Sequence, residues 1–129
     1  MHKIELDKFQ GPLDLLLYFI RRDELDINDI PIAEITAEYL QTIEDMKAMN
    51  LSVAGEFILM AATLMRIKSK MLIPRAELDD MGEPIDPRTE LVQQLIEYKK
   101  YKDIADNLSE KWEKLSYQHE RILVESFND

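Results

Sequence analysis

Glu34 and Glu38 stand one helical turn apart, a spacing at which two carboxylates can hold a divalent cation. No histidine accompanies them, so the plainer reading is a solvated acidic face. The chain has two histidines. His2 sits at a terminus, and His119 falls on an apolar stripe, where a packed or capping imidazole is the ordinary role. Gly11-Pro12 offers one glycine, too few for a phosphate cradle. Arg66, Lys68 and Lys70 can touch phosphate, but such residues more often complement the C-terminal end of a helix dipole. There is no cysteine, which excludes a disulfide framework and a thiolate metal site and fits a reducing compartment. No nucleophile elbow, P-loop, dinucleotide fingerprint or His–Glu metal helix occurs. The chain is therefore expected to bind rather than to catalyse, with no metal and no cofactor. An enzyme would need acidic side chains around a metal.

The remaining chemistry is apolar association. It concentrates in LSVAGEFILMAATLMRIKSKMLIP, Leu51 to Pro74. Val53, Phe57, Met60, Leu64, Ile67 and Met71 recur at spacings 4, 3, 4, 3, 4. Ala54, Ile58, Ala61, Met65, Lys68 and Leu72 repeat those spacings one residue later. One helix thus carries two coiled-coil-type seams about 100° apart. The Val53 seam is bulky and suits a core. The Ala54 seam has two alanines, which allow close backbone approach, and Lys68, which suits a wet rim.

The elements that must position these seams are helical. Three glycines and five prolines punctuate 129 residues, 46% of them apolar, and strand-like runs are scarce. HKIELDKF alternates loosely and reads as a short edge strand or extended lead-in. In GPLDLLLYFIRRDEL, Gly11 can take a cap conformation, Pro12 suits the first helical position and Asp14 complements the dipole. Leu13, Leu16, Leu17 and Ile20 form one strip, Leu15 and Phe19 a second, and the helix should end near Arg22. A second helix follows, capped by Asn28 or Asp29, with Ile32, Ile35, Tyr39, Ile43 and Met46 on its stripe. Asn50 or Ser52 is expected to cap the third, and Pro74 to stop it.

Pro74 to Thr89 holds three prolines, a glycine and several acids, and reads as a linker or boundary. Beyond it Leu91, Tyr98, Tyr101, Ala105, Leu108, Trp112, Leu115, His119 and Ile122 share one long 4/3 stripe, with Leu95 flanking it. The expected architecture is mainly all-α: a helical domain over 1–74 built of three helices with a short N-terminal strand, a linker over 75–89, and a long helical arm over 90–129.

Three helices in about 75 residues make a small core. The first two can cover one seam of the third. The other is left for the last helix folding back, a second copy of the chain, or a foreign helix. The plainest alternative buries both seams in a four-helix bundle. Other classes are bounded by charge and length. A net charge of −10 opposes direct DNA binding. The uncharged run Phe57–Met65 is far short of the roughly 20 residues a bilayer span needs. The N-terminus has no apolar signal region, so a soluble, cytoplasmic protein is expected.

FQGPLDLLLYFI, DINDIPIAEITAEYL and AGEFILMAATLMRIKSKMLIP, in that order, resemble the N-terminal region of the bacterial kleisins, the segregation and condensation protein A family. The likeness runs from about Ile4 to Pro74 and continues more loosely through LVQQLIEYKKYKDIADNL. It implies a non-enzymatic, nucleoid-associated bridge in the structural-maintenance-of-chromosomes (SMC) complex, acting in chromosome condensation and segregation. The helical domain would pack onto the coiled-coil neck of an SMC ATPase. The stretch from about Pro84 to Ile122 would meet a dimer of segregation and condensation protein B. DNA would be held only indirectly, within the closed ring. Family members continue into a C-terminal winged helix that caps a second SMC head. A chain stopping at Asp129 is expected to bind the neck without closing the ring.

On this footing the expected neck contacts are Ala54, Ile58, Ala61, Met65, Lys68 and Leu72, with Glu34, Glu38 and Gln41 as a rim. The expected companion contacts are Leu91, Leu95, Tyr98, Tyr101, Leu108 and Trp112, since buried aromatics and leucines dominate such interfaces. The alternative is a self-associating helical scaffold unrelated to chromosomes. Without a partner, homodimerisation or fold-back of the last helix is expected.

Overall fold

The computed structural model describes residues 8–49 and 52–127, with side chains to residue 124. The fold is all-α. Its helices are α1 (Pro12–Arg22), α2 (Ile32–Ala48), α3 (Gly55–Leu72) and α4 (Thr89–Phe127). Among the described residues there is no strand, only an isolated bridge between Leu78 and Pro84. The strand expected around Ile4 and Leu6 lies outside the described residues, as does Asn50. The chain divides into two compact units after Ile96, so α4 begins in the first and continues into the second.

The entry to α1 follows from its residues. Gly11 has φ 130°, a backbone region that glycine tolerates, and Pro12 opens the helix. The buried Asp14 carboxylate accepts from the Gln10 N–H at 3.0 Å. Leu15, Leu16, Leu17, Phe19 and Ile20 are all buried, so both apolar strips are covered. The helix ends in a Schellman arrangement: Leu25 N–H donates to Ile20 O and Glu24 N–H to Arg21 O. Glu24 takes the left-handed position at φ 53°.

In the first unit α2 packs chiefly on α3, and α1 meets both. The stripe Ile32, Ile35, Tyr39, Ile43 and Met46 is buried, joined by Thr36 and Thr42. Thr42 returns its hydroxyl to the Glu38 carbonyl. The expected caps of α2 and α3 are not used. Pro31 precedes α2 and Ala54 precedes α3, neither with a side-chain cap bond. Asp26 accepts from the Asn28 N–H instead, and Asp29 is engaged by Arg88.

The segment between α3 and α4 has a linker's composition but is hydrogen-bonded. Asp79 N–H donates to Glu83 O and Ile85 N–H to Glu77 O. Asp79 Oδ1 accepts from the N–H groups of Met81 and Glu83, and Gly82 turns the chain at φ 79°. Leu91 and Leu95, in the first turns of α4, complete the core of the first unit.

Candidate partner-binding surfaces

The two seams of α3 differ in cover. Phe57, Leu64 and Ile67 are buried, Val53 and Met60 half-buried, and Met71 exposed. Along the neighbouring seam Ile58, Met65 and Leu72 are 47%, 53% and 73% exposed, and Ala54 is exposed. Ala61 is buried and Lys68 half-buried, so this seam presents an open apolar row over a small-residue floor. Leu59 widens the row at 70% exposure. Isolated apolar residues on a surface need no explanation, but a row spaced by whole heptads along one helix marks a face that another helix can cover.

What fixes this face is the contact between α2 and α3. The Tyr39 hydroxyl, in the buried stripe of α2, donates to the Phe57 carbonyl at 2.7 Å. Burial, and then the charge of Glu56, push the Tyr39 phenol above its ordinary range. Phe57 is buried, and its neighbour Ile58 faces out.

The expected rim on α2 is less free than its residue types imply. Glu38 is half-buried and ion-pairs with Arg22. Arg22 also bonds Asp23 at 2.8 Å and lies over the rings of Phe19 and Tyr18, at 5.2 and 5.7 Å. Its guanidinium holds the Asp23 carboxyl below the usual carboxylate range. Glu34 is exposed, and so is Gln41, which donates to Asp45 Oδ1 at 2.8 Å.

Of the residues expected to meet a companion dimer, Leu91 and Leu95 are buried in the first unit and so are not open surface. Tyr98 is half-buried. Tyr101, Leu108 and Trp112 lie in the second unit and are exposed, Trp112 at 72%. Ile104, Leu115 and Ile122 are exposed too, so apolar side chains recur among the charged residues of that part of α4.

Among the described residues no group of three or more His, Cys, Asp or Glu side chains could hold a metal. A cleft of about 860 Å³ between the end of α3, the following loop and the start of α4 is lined by Met71, Ile73, Ile85 and Thr89 among others. Its lining holds no histidine or cysteine. No helix among the described residues is long and apolar enough to cross a membrane.

A protein-family model described as Segregation and condensation protein ScpA matches residues 19–129. This chain belongs to that family. Proteins named Segregation and condensation protein A are similar to it across most of its length. The one from Brevibacillus brevis is 55% identical over 116 residues, covering 84% of this chain and 46% of the relative. That from Oceanobacillus iheyensis is 53% identical over 113 residues, 85% and 45% of the two chains. That from Bacillus subtilis is 49% identical over 116 residues, 87% and 46%. The chain spans about half the length of these curated relatives. Arg88 makes a tertiary contact that periodicity passed over. Besides the nearby Asp86, its partners Ile30 and Asp29 lie 58 and 59 residues away, and no local pattern signals them.

Proposed function

We propose that this chain is a non-enzymatic, cytoplasmic binding subunit that acts in chromosome condensation and segregation, with two surfaces. The open face of α3, centred on Ile58 and Met65, docks on the coiled-coil neck of an SMC ATPase. The exposed stretch of α4 at Tyr101, Leu108 and Trp112 is gripped by a segregation and condensation protein B dimer. The single observation carrying this reading is the exposed heptad-spaced row on α3, beside a seam on the same helix whose Phe57, Leu64 and Ile67 are already buried. Such a row fits a pair of neck helices, which would complete a mixed bundle. Small residues at Ala54 and Ala61 permit close approach. The lower part of the row runs into Lys68, which suits the polar rim of such a contact.

The net charge of −10 keeps DNA contact indirect in this reading. The test is a mixing experiment analysed by size-exclusion chromatography with light scattering. The chain, an SMC head-plus-neck fragment and a companion dimer are combined pairwise and together. The reading expects two binary complexes and one ternary complex. A chain that associates only with itself would favour the self-associating scaffold instead.

A further inference from the structure

One side chain fastens the start of α4. The Arg88 side chain is 17% exposed. Its Nη1 donates to Asp29 Oδ1 at 2.7 Å and to Ile30 O at 2.8 Å. Its Nε and Nη2 donate to the two carboxylate oxygens of Asp86, at 3.1 and 2.8 Å. A planar guanidinium fork suits this joining of two backbone regions, which a lysine cannot reproduce. Ile30, whose carbonyl is taken, is fully buried. In the following turns Leu91 and Leu95 are buried, and farther along the same helix Tyr101, Leu108 and Trp112 are open. Leu91 shares its 4/3 stripe with those three residues. One helix face therefore changes from covered to open along its length.

We propose that Arg88 is a latch. It holds the first two turns of α4 to the α1–α2 connection, keeps Leu91 and Leu95 in the core, and so sets where the open surface of α4 begins. The Asp29 arm of the contact is of a releasable kind, since Asp29 is largely exposed and water competes for the pair. Opening it bares Leu91 and Leu95. It also bares the flank of α3 at Met60 and Ile67, which lines a cleft with Leu91. A protein gripping α4 from Tyr101 onward then gains further anchors only by displacing the latch. That last consequence rests on reading α4 as a companion site. The latch itself does not.

Hydrogen exchange on the whole chain, read by mass spectrometry without any partner, tests it. In Arg88→Ala the amides of Leu91–Ile96 are expected to exchange about ten-fold faster or more, while those of α2 and of Phe57–Ile67 stay within about two-fold of wild type. Asp29→Ala should give a smaller rise over the same amides, because the bonds to Ile30 and Asp86 remain. Unchanged exchange at Leu91–Ile96 in Arg88→Ala overturns the proposal. So does an equal acceleration in every helix of the first unit, which would make Arg88 a general support of the fold. Neither outcome depends on the SMC reading, which the mixing experiment judges separately.

Discussion

The Tyr39 hydroxyl and the Phe57 carbonyl form a buried polar tie between α2 and α3, and its removal has a defined cost. Tyr39→Phe should destabilise the chain by about 1 kcal/mol, the net value of such a bond, read from urea unfolding with an unchanged slope. It should also change the response to alkali. Burial raises the folded-state phenol above its ordinary value of 10.0, so as pH rises the unfolded chain releases its proton first. The stability this group contributes is intact below pH 10 and declines as pH rises through the higher folded value. Wild type should therefore lose stability more steeply than Tyr39→Phe above about pH 10, and parallel profiles would refute the assignment. Glu24 offers the opposite sign. It occupies a left-handed position that glycine fills without strain, so Glu24→Gly should raise stability by about 0.5–1 kcal/mol in the same assay. At this scale the sequence was partly readable. Pro12 and Asp14 announced the start of α1 because their roles are local. Asp29 misled as a cap because its partner, Arg88, is 59 residues away.

Adjacent residues on α3 define two faces, and paired substitutions separate them. Phe57 is buried and Ile58 is not. Phe57→Glu places a carboxylate in the core and should cost more than about 3 kcal/mol. Ile58→Glu should stay within about 0.5 kcal/mol of wild type, by circular dichroism and urea unfolding of the chain alone. Equal losses would mean that the row on α3 is covered in solution. Helix α4 carries a similar contrast along its length. Leu95→Ala should cost about 2–4 kcal/mol, and Trp112→Ala should leave the unfolding midpoint of the first unit unchanged. The helices themselves were legible, because Ile32, Ile35, Tyr39, Ile43 and Met46 repeat with the period of a buried stripe. The burial of Leu91 and Leu95 was not. Their periodicity is continuous with that of Tyr98 to Trp112, and period alone does not say which turns of a long helix are covered. The order of the segment before α4 was hidden for a related reason. Proline, glycine and acid content looks the same in a tether as in a loop closed by Asp79, Gly82 and Asp86.

At the scale of the whole molecule, a chain with a net charge of −10 carries open apolar surface on two separate stretches. A net negative charge opposes approach to phosphate backbones, and in the proposed reading the apolar rows suit helical partners. The family assignment and the helical architecture were both within reach of the sequence, through three ordered motifs. The Ala54 seam is favoured as the outward face by its two alanines and Lys68, and the structure adds that Ile58, Met65 and Leu72 on it are exposed. The central claim is that the open row on α3 is the face that meets an SMC neck. Titration calorimetry of the chain against an SMC head-plus-neck fragment tests it most directly, with folded Ile58→Glu and Trp112→Ala variants in parallel. The account predicts that wild type and Trp112→Ala bind alike, and that Ile58→Glu loses about 2 kcal/mol or more of affinity, roughly thirty-fold. Binding of Ile58→Glu equal to that of wild type would contradict the assignment of the face, and no binding by folded wild type would contradict the neck-binding role itself.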